Sequence, residues 1–490
     1  MKKKLKIVSI ASEVAPFSKT GGLADVARSL PKALKRQGHE LIVITPLYEQ
    51  VIDKERHDLK IVFSNIKVYL NSSESIVVNF WRGYLMEGLP IYFIENKKYF
   101  SKRKKIYGSS HENARFLIFD VAALRLISLL KYEADIVHCH DWQSGLIPYY
   151  LKTDFRYSHT LKKAKTVFTI HNLAFQFGKN WWEVPPSEKD FGRGRIPHLS
   201  DPALENLNFV KRAILSADAI NTVSEQYREE IMTRNFGQDL HRILKNRSGR
   251  LFGIVNGIDY KTYNPQVDPG LFSNYSHKKI HRKKLNKAYL QEKVGLPIDL
   301  EIPLICATSR MAYQKGIELI IKVFADIKDM NAQFVIMGDG DKNYINQLKK
   351  IQNAFPGKLV WLPFAENSGM ETLLYAAADF FLLPSHHEPC GLNQMIAMRY
   401  GAVPIVRRVG GLHDTVKNYN EKKGTGTGFV FEEFNEASLR ASILRALELR
   451  KNRKVFRDLK VRIMQESNSW EIPATKYVEL YRKVLKENGV

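Results

Sequence analysis

"LKIVSIASEVAPFSKTGGLADVARSLPKALKRQGHELIVITP", residues 5–46, joins two compact apolar runs through a polar loop and a stretch with helical apolar spacing. Runs of this length flanking a 3.6-residue period read as strand, helix, strand. Pro31 is expected to interrupt the helix, because proline removes one backbone donor and clashes with the preceding turn. Working outward, "ADIVHCHD" (134–141), "KTVFTIHN" (165–172), "ADAINTVS" (217–224) and "LFGIVNGID" (251–259) are further buried-strand candidates, each ending in polar or glycine-bearing residues. The pattern then restarts. "IPLICATSR" (302–310), "AQFVIMGDG" (332–340), "LVWLPF" (359–364), "FFLLPS" (380–385) and "AVPIVRR" (402–408) read as strands, while "KGIELIIKVFADI" (315–327), "METLLYAAAD" (370–379) and "GLNQMIAMRYG" (391–401) read as helices.

Alternation of this kind implies parallel sheets covered by helices on both faces, and the chain carries two such sets. The expected fold class is therefore α/β, with two Rossmann-like domains facing a central cleft. The expected division is 1–258 for an N-terminal domain and 259–465 for a C-terminal domain. The join falls in the polar, turn-rich stretch between Asn256 and Leu300. Residues 466–490 are expected to form a helical segment that crosses back to the first domain, although the periodicity of "IPATKYVELYRKVLKEN" fits either half.

The chain has 490 residues and 44% hydrophobic content, enough for a large core. Lys and Arg number 75 against 51 Asp and Glu, a net charge of +24 that favours anionic partners. Basic residues are dispersed along the whole length, with short clusters such as "KKYFSKRKK" (97–105), so a nucleic-acid footprint confined to one face is not expected. The three cysteines, Cys139, Cys306 and Cys390, are too few and too far apart for a disulfide framework or a four-ligand zinc site. The apolar run at the amino terminus is short and is followed by Glu13, unlike a signal peptide. With no stretch near the roughly 18 apolar residues of a membrane span, the expected setting is cytoplasmic.

Function in open α/β sheets lies beyond the carboxyl ends of the strands. The first such edge carries Glu13, Lys19, Gly21 and Gly22 ahead of a helix, a place where backbone N–H groups and a lysine charge suit a phosphate. A plain glycine turn with a solvated lysine fits the same residues. At a second edge, Arg310 and Lys315 lie five residues apart before a helix, which suits a diphosphate, since Arg grips two oxygens and Lys neutralises the remainder; plain surface charge fits the same pair. At a third, Glu388 is followed by Cys390, Gly391, Asn393 and Gln394, a carboxylate that can accept from sugar hydroxyls beside the start of a helix; an acid that only complements the helix N-terminus fits the same position. His138, His140, Asp141, His171 and Asn172 gather at strand ends. Strand alternation puts His138 and His140 on one side, but no third metal ligand is evident. "GDGD" (338–341) is explained by a glycine-rich turn more economically than by a divalent-ion motif.

The ordered series "KTGGLADV", "HDW", "FTIHNLAFQ", "TVSEQYREEI", "GIVNGID", "SRMAYQKG", "PSHHEPCGLNQM" and "RRVGGLHDTV" resembles bacterial glycogen synthases and plastid starch synthases from residue 5 to about 485. The resemblance implies the glycosyltransferase B fold. It also implies transfer of glucose from ADP-glucose to the non-reducing 4-hydroxyl of an α-1,4-glucan or maltooligosaccharide, with retention and without a metal or other cofactor. Lys19, Gly21 and Gly22 would contact the sugar nucleotide, with Arg310 and Lys315 on the diphosphate. Glu388 would hold glucose hydroxyls, with Cys390, Gly391 and Asn393 adjoining. Asp141 and His171 would stand near the sugar and acceptor, and Glu13, Asp25 and Asn172 would line the acceptor side. Cations around the diphosphate would make it a good leaving group.

Some residues depart from that pattern. Phe177 and Ala213 stand where glycines are usual, "KNWWEVPPSEKDFGRGRIPH" (179–198) is unlike the family's sequence, and "SNSW" (467–470) lacks an aromatic before Ser469. They fall around the acceptor side and the crossover, leaving open a related retaining transferase that uses UDP-glucose or another acceptor. A basic polyanion-binding protein without turnover is the alternative from another class. Oligomeric state is open. No nucleic-acid or membrane partner is expected.

Overall fold

The computed structural model describes residues 3–103, 105–108, 110–327 and 330–486. Residues 1 and 2 of the amino terminus, residue 104 of the basic cluster and residues 487 and 488 of the last expected helix lie outside them. The chain divides into two compact units, residues 1–256 with 470–490, and residues 257–469.

The first unit is built on nine strands: β1 (Lys6–Ile10), β2 (Glu40–Pro46), β3 (Lys60–Tyr69), β4 (Ser75–Met86), β5 (Leu89–Glu95), β6 (Ile136–His140), β7 (Lys165–Ile170), β8 (Ala219–Thr222) and β9 (Leu251–Gly253). Their spatial order is β3-β4-β5-β2-β1-β6-β7-β8-β9. Strands β5 through β9 in that order pair in parallel, as expected from the alternation. The β3-β4-β5 ribbon is instead antiparallel, a departure from an all-parallel sheet. Its strands follow one another through short turns and β3 is largely exposed, so no crossover helix is required. The helix Gly22–Arg36 runs through Pro31 without a break, which corrects the expected interruption. One lost backbone bond is tolerated there because Pro31 is buried among Ala27, Leu30 and Leu34 of the same face.

The central strands are apolar and buried on both faces, with a few polar exceptions. Ser9, His138, His140, Thr169 and Asn221 are all buried in neighbouring strands. They are satisfied partly by the helix Glu471–Lys486: Tyr481 Oη lies 2.8 Å from His138 Nδ1, and Asn221 Nδ2 donates to Tyr477 Oη at 2.9 Å. This polar layer docks the C-terminal helix onto the first unit's sheet, since buried donors and acceptors left unpaired are costly.

The second unit contains β10 (Leu304–Thr308), β11 (Gln333–Met337), β12 (Leu359–Leu362), β13 (Phe380–Leu383), β14 (Val403–Arg407) and β15 (Phe429–Phe431), in the order β12-β11-β10-β13-β14-β15. Every pair is parallel. In each sheet the strand order reverses beside its first strand, between β1 and β6 in one unit and between β10 and β13 in the other. Those two reversals are where loops diverge and leave room for a ligand. Among the described residues no helix is long and apolar enough to cross a membrane.

Candidate functional site

In the first unit the loops after β1 and β6 meet at the reversal. Glu13 is buried and accepts from the Thr20 backbone N–H at 2.5 Å and the Thr20 hydroxyl at 2.8 Å. Lys19 Nζ pairs with Asp25 Oδ2 at 2.9 Å. Gly21 precedes the helix Gly22–Arg36, no side chain caps that N-terminus, and a Cβ added at Gly21 would meet nothing within 4 Å. The loop thus offers uncapped N–H groups on an open surface, as an anion requires.

Asp141 follows β6 with φ at 58°, a left-handed conformation uncommon for a residue with a side chain. Its Oδ1 accepts the His171 backbone N–H at 2.7 Å, which joins the ends of β6 and β7. Burial pushes its carboxyl up to about 7, partly opposed by the His171 and Asn172 N–H groups and reinforced by the charge of Glu13. Burial likewise raises Glu13 to about 7 against the hydrogen bonds from Thr20. The Asn172 side chain accepts from the Ala174 N–H at 3.1 Å and shapes the following turn. His171 Nε2 lies 3.1 Å from His140 Nδ1, and burial lowers His171 to about 3, so the ring is neutral. Glu13, Asp141 and His171 therefore belong to one neighbourhood. Tyr107, whose hydroxyl is 2.7 Å from Ser12 Oγ, feels the charges of both Glu13 and Asp141 and joins it. Tyr107 escaped the sequence reading because it sits beside a basic cluster with no periodicity.

In the second unit the loops after β10 and β13 lock together. Lys315 Nζ donates to Glu388 Oε2 at 2.7 Å, and Ser385 Oγ donates to the same oxygen at 2.9 Å. Gln314 and His387 exchange two hydrogen bonds, from Gln314 Nε2 to His387 O and from His387 N to Gln314 O. Gly316, at φ 68°, permits this approach, since a Cβ there would lie 2.1 Å from the Pro384 carbonyl oxygen. Arg310 is exposed, with Nη2 3.4 Å from Gln314 Oε1. Cys390 is buried, and Gly391 has φ at 70° two residues before the helix Asn393–Arg399. Asn393 Nδ2 donates to the Thr308 carbonyl at 2.8 Å, tying that helix to the end of β10.

Sequence reasoning treated Lys315 and Glu388 as separate features and passed over Ser385, Gln314, Gly410 and Gly411. The two glycines let the loop after β14 close on this site: added Cβ atoms would stand 2.0 Å from Glu388 O and 1.9 Å from Cys390 O. In "GDGD", Asp341 caps the helix Lys342–Ala354 and Asp339 accepts from the Ala365 N–H. Among the described residues no group of three or more His, Cys, Asp or Glu side chains is placed to hold a metal ion.

Several departures from the resemblance are absorbed by packing. Phe177 and Ala213 are buried. The 179–198 segment is fastened by Asp190, which accepts from Arg212 Nε at 2.9 Å and Nη2 at 3.0 Å.

Residues 6–246 match the starch synthase catalytic domain and residues 291–459 match glycosyl transferases group 1. A glycogen synthase of Thermosipho melanesiensis is 39% identical over 491 residues, covering 99% of this chain and 100% of the relative. One from Clostridium perfringens is 39% identical with 99% of each covered. The solved catalytic domain of starch synthase IV from Arabidopsis thaliana, bound to ADP and acarbose, superposes with a TM-score of 0.88 at 32% identity, covering 99% of this chain and all of that one. Two parallel-sheet α/β units, each with its polar loops at a strand-order reversal, define a glycosyltransferase of the GT-B class. Within that class, the chain belongs to the glycogen synthase and starch synthase family.

Proposed function

We propose that the protein transfers glucose from ADP-glucose to the non-reducing 4-hydroxyl of an α-1,4-glucan with retention of configuration. The observation that carries this reading is the Lys315–Glu388 pair at the β10/β13 reversal, 2.7 Å apart. It offers a cation for a diphosphate and a carboxylate for sugar hydroxyls on two mutually braced loops. Arg310, on the same loop as Lys315, adds a second cation. Cys390, Gly391 and Asn393 form the adjoining wall, and Lys19, Gly21 and Gly22 the anion-binding loop of the first unit. Glu13, Asp25 and Asn172 are assigned to the acceptor side, with Asp141 and His171 beside the reacting sugar.

The chemistry follows from charge. As the bond from the glucosyl C1 to the phosphate oxygen breaks, negative charge grows on ADP and preorganised cations stabilise it. We infer retention by same-face substitution: the acceptor oxygen bonds to C1 on the side the phosphate leaves, and the acceptor's proton passes to a departing phosphate oxygen. No metal is assigned, because side-chain cations fill that role. The ADP bound in the starch synthase IV structure supports adenine over uracil as the base.

Nucleotide release from ADP-glucose and UDP-glucose, measured side by side with a maltooligosaccharide, tests the reading. Faster turnover of ADP-glucose with lengthening of the glucan is expected. Preference for UDP-glucose, or nucleotide release without glucan growth, would overturn it.

A further inference from the structure

Two buried strand residues, Ser9 of β1 and His140 of β6, form a hydrogen-bonded row that ends at the half-buried His171 just after β7. Ser9 Oγ lies 3.3 Å from His140 Nε2, and His140 Nδ1 lies 3.1 Å from His171 Nε2. The register places β1 directly against β6, with Ser9 opposite His138, so the row crosses the sheet at its reversal. The His138 ring packs against His140 in a tilted arrangement, with centroids 4.0 Å apart. His138 is itself held by Thr169 at 2.7 Å and by Tyr481 of the C-terminal helix at 2.8 Å, which keeps the His140 ring from turning.

The direction of protons along this row is determined by its first member. Among the described residues His140 Nε2 is the one hydrogen-bond partner of the Ser9 hydroxyl, and Ser9 is 3% exposed. A buried hydroxyl proton without an acceptor is costly, whereas an unused oxygen lone pair costs less, so Ser9 donates. His140 Nε2 then carries no proton and its Nδ1–H donates to His171 Nε2. Burial keeps both imidazoles neutral, His140 well below its ordinary range and His171 near 3. The single proton of His171 must then sit on Nδ1, which has no hydrogen-bond partner among the described residues.

We propose that Ser9 and His140 are positioning residues that lock His171 in its Nδ1–H tautomer, so that it presents a donor to a sugar oxygen of the bound substrate. The inference rests on the placement of His171 beside the reacting sugar. It adds that His171 acts as a neutral donor and that its orientation depends on a serine 162 positions earlier, outside any motif containing the histidine.

The test uses the full chain labelled with ¹⁵N-histidine and long-range ¹⁵N–¹H correlation, with the His171 signals assigned by their loss in His171→Gln. The wild type is expected to show a protonated Nδ1 and a bare Nε2 at His171. Ser9→Ala is expected to shift most of the population to the Nε2–H form. The same variant should lose about 10- to 100-fold in kcat, the range seen when an orienting partner is removed, with the donor KM within about twofold. A proton on Nε2 in the wild type would overturn the proposal, and that reading does not depend on Ser9→Ala folding. An unchanged tautomer in Ser9→Ala would overturn it as well. Wild-type kcat in His171→Gln, alongside the expected tautomer, would instead overturn the placement of His171 at the sugar and leave the proton order of the row standing.

Discussion

Lys315 Nζ and Glu388 Oε2 stand 2.7 Å apart although 73 residues separate them in sequence, because β10 and β13 are neighbours and Gly316 lets their loops touch. Each is the other's counter-ion, and Ser385 donates to the same carboxylate oxygen. Lys315→Ala is expected to lower kcat by about 10² or more, the usual effect of deleting one preorganised donor at a developing anion. The fold should persist with a lowered thermal transition, since the buried Glu388 loses its counter-ion while the sheet core is untouched. Steady-state kinetics beside a melting curve checks both halves, and near-normal turnover would remove Lys315 from the diphosphate.

The buried Glu13 carboxyl gives a pH-dependent signature. Its folded value, raised by burial to about 7, lies above the ordinary 4.5, so the folded state holds a proton that the unfolded chain has lost between those limits. Stability contributed by this group therefore falls as pH rises from about 4.5 to about 7 and is level above that window. Glu13→Gln keeps an oxygen for Thr20 but does not ionise. The melting temperature of the variant relative to wild type is expected to climb across that window, and a flat difference would show that Glu13 ionises normally.

The loop after β14 closes on Glu388 and Cys390 through glycines. A Cβ at Gly411 would lie 1.9 Å from the Cys390 carbonyl oxygen, a backbone atom that cannot step aside without moving its loop. Gly411→Ala should displace residues 388–391 and cost about 10²-fold in kcat/KM for the donor, as small misplacements of binding groups do. Ile443→Val, a small change in the buried core of the same unit, serves as the control and should leave donor kinetics near those of wild type. Equal kinetics in Gly411→Ala and the control would contradict the role given to this contact.

Charge on the diphosphate is assigned to Arg310 and Lys315. Turnover is accordingly expected to be the same with and without EDTA. Loss of activity on chelation, restored by magnesium, would show that the side-chain cations are insufficient.

Much of the fold was legible because β1, β6, β10, β11 and β13 are short apolar runs bounded by turns, the pattern that strands buried on both faces leave in a sequence. The β3-β4-β5 ribbon was not, since β3 is mostly exposed and its pairing is broken by register shifts, which blur alternation. The helix Glu112–Leu129 also gave no amphipathic signal, because it is buried nearly all round. For the site, strand-end loops located the chemical residues but not their partners. Local sequence holds no trace of Lys315 meeting Glu388 or of Ser9 meeting His140; both contacts are made by strand order, which brings together residues 73 and 131 positions apart.

The most direct measurement is of the bond that forms. ADP-glucose carrying ¹³C in its glucose, incubated with the purified protein and a maltooligosaccharide, should place the label in a new α-1,4-linked residue at the non-reducing end, with one ADP released per glucose transferred. A β-linked product, or label recovered only as free glucose or unreacted donor, would contradict glucosyl transfer with retention.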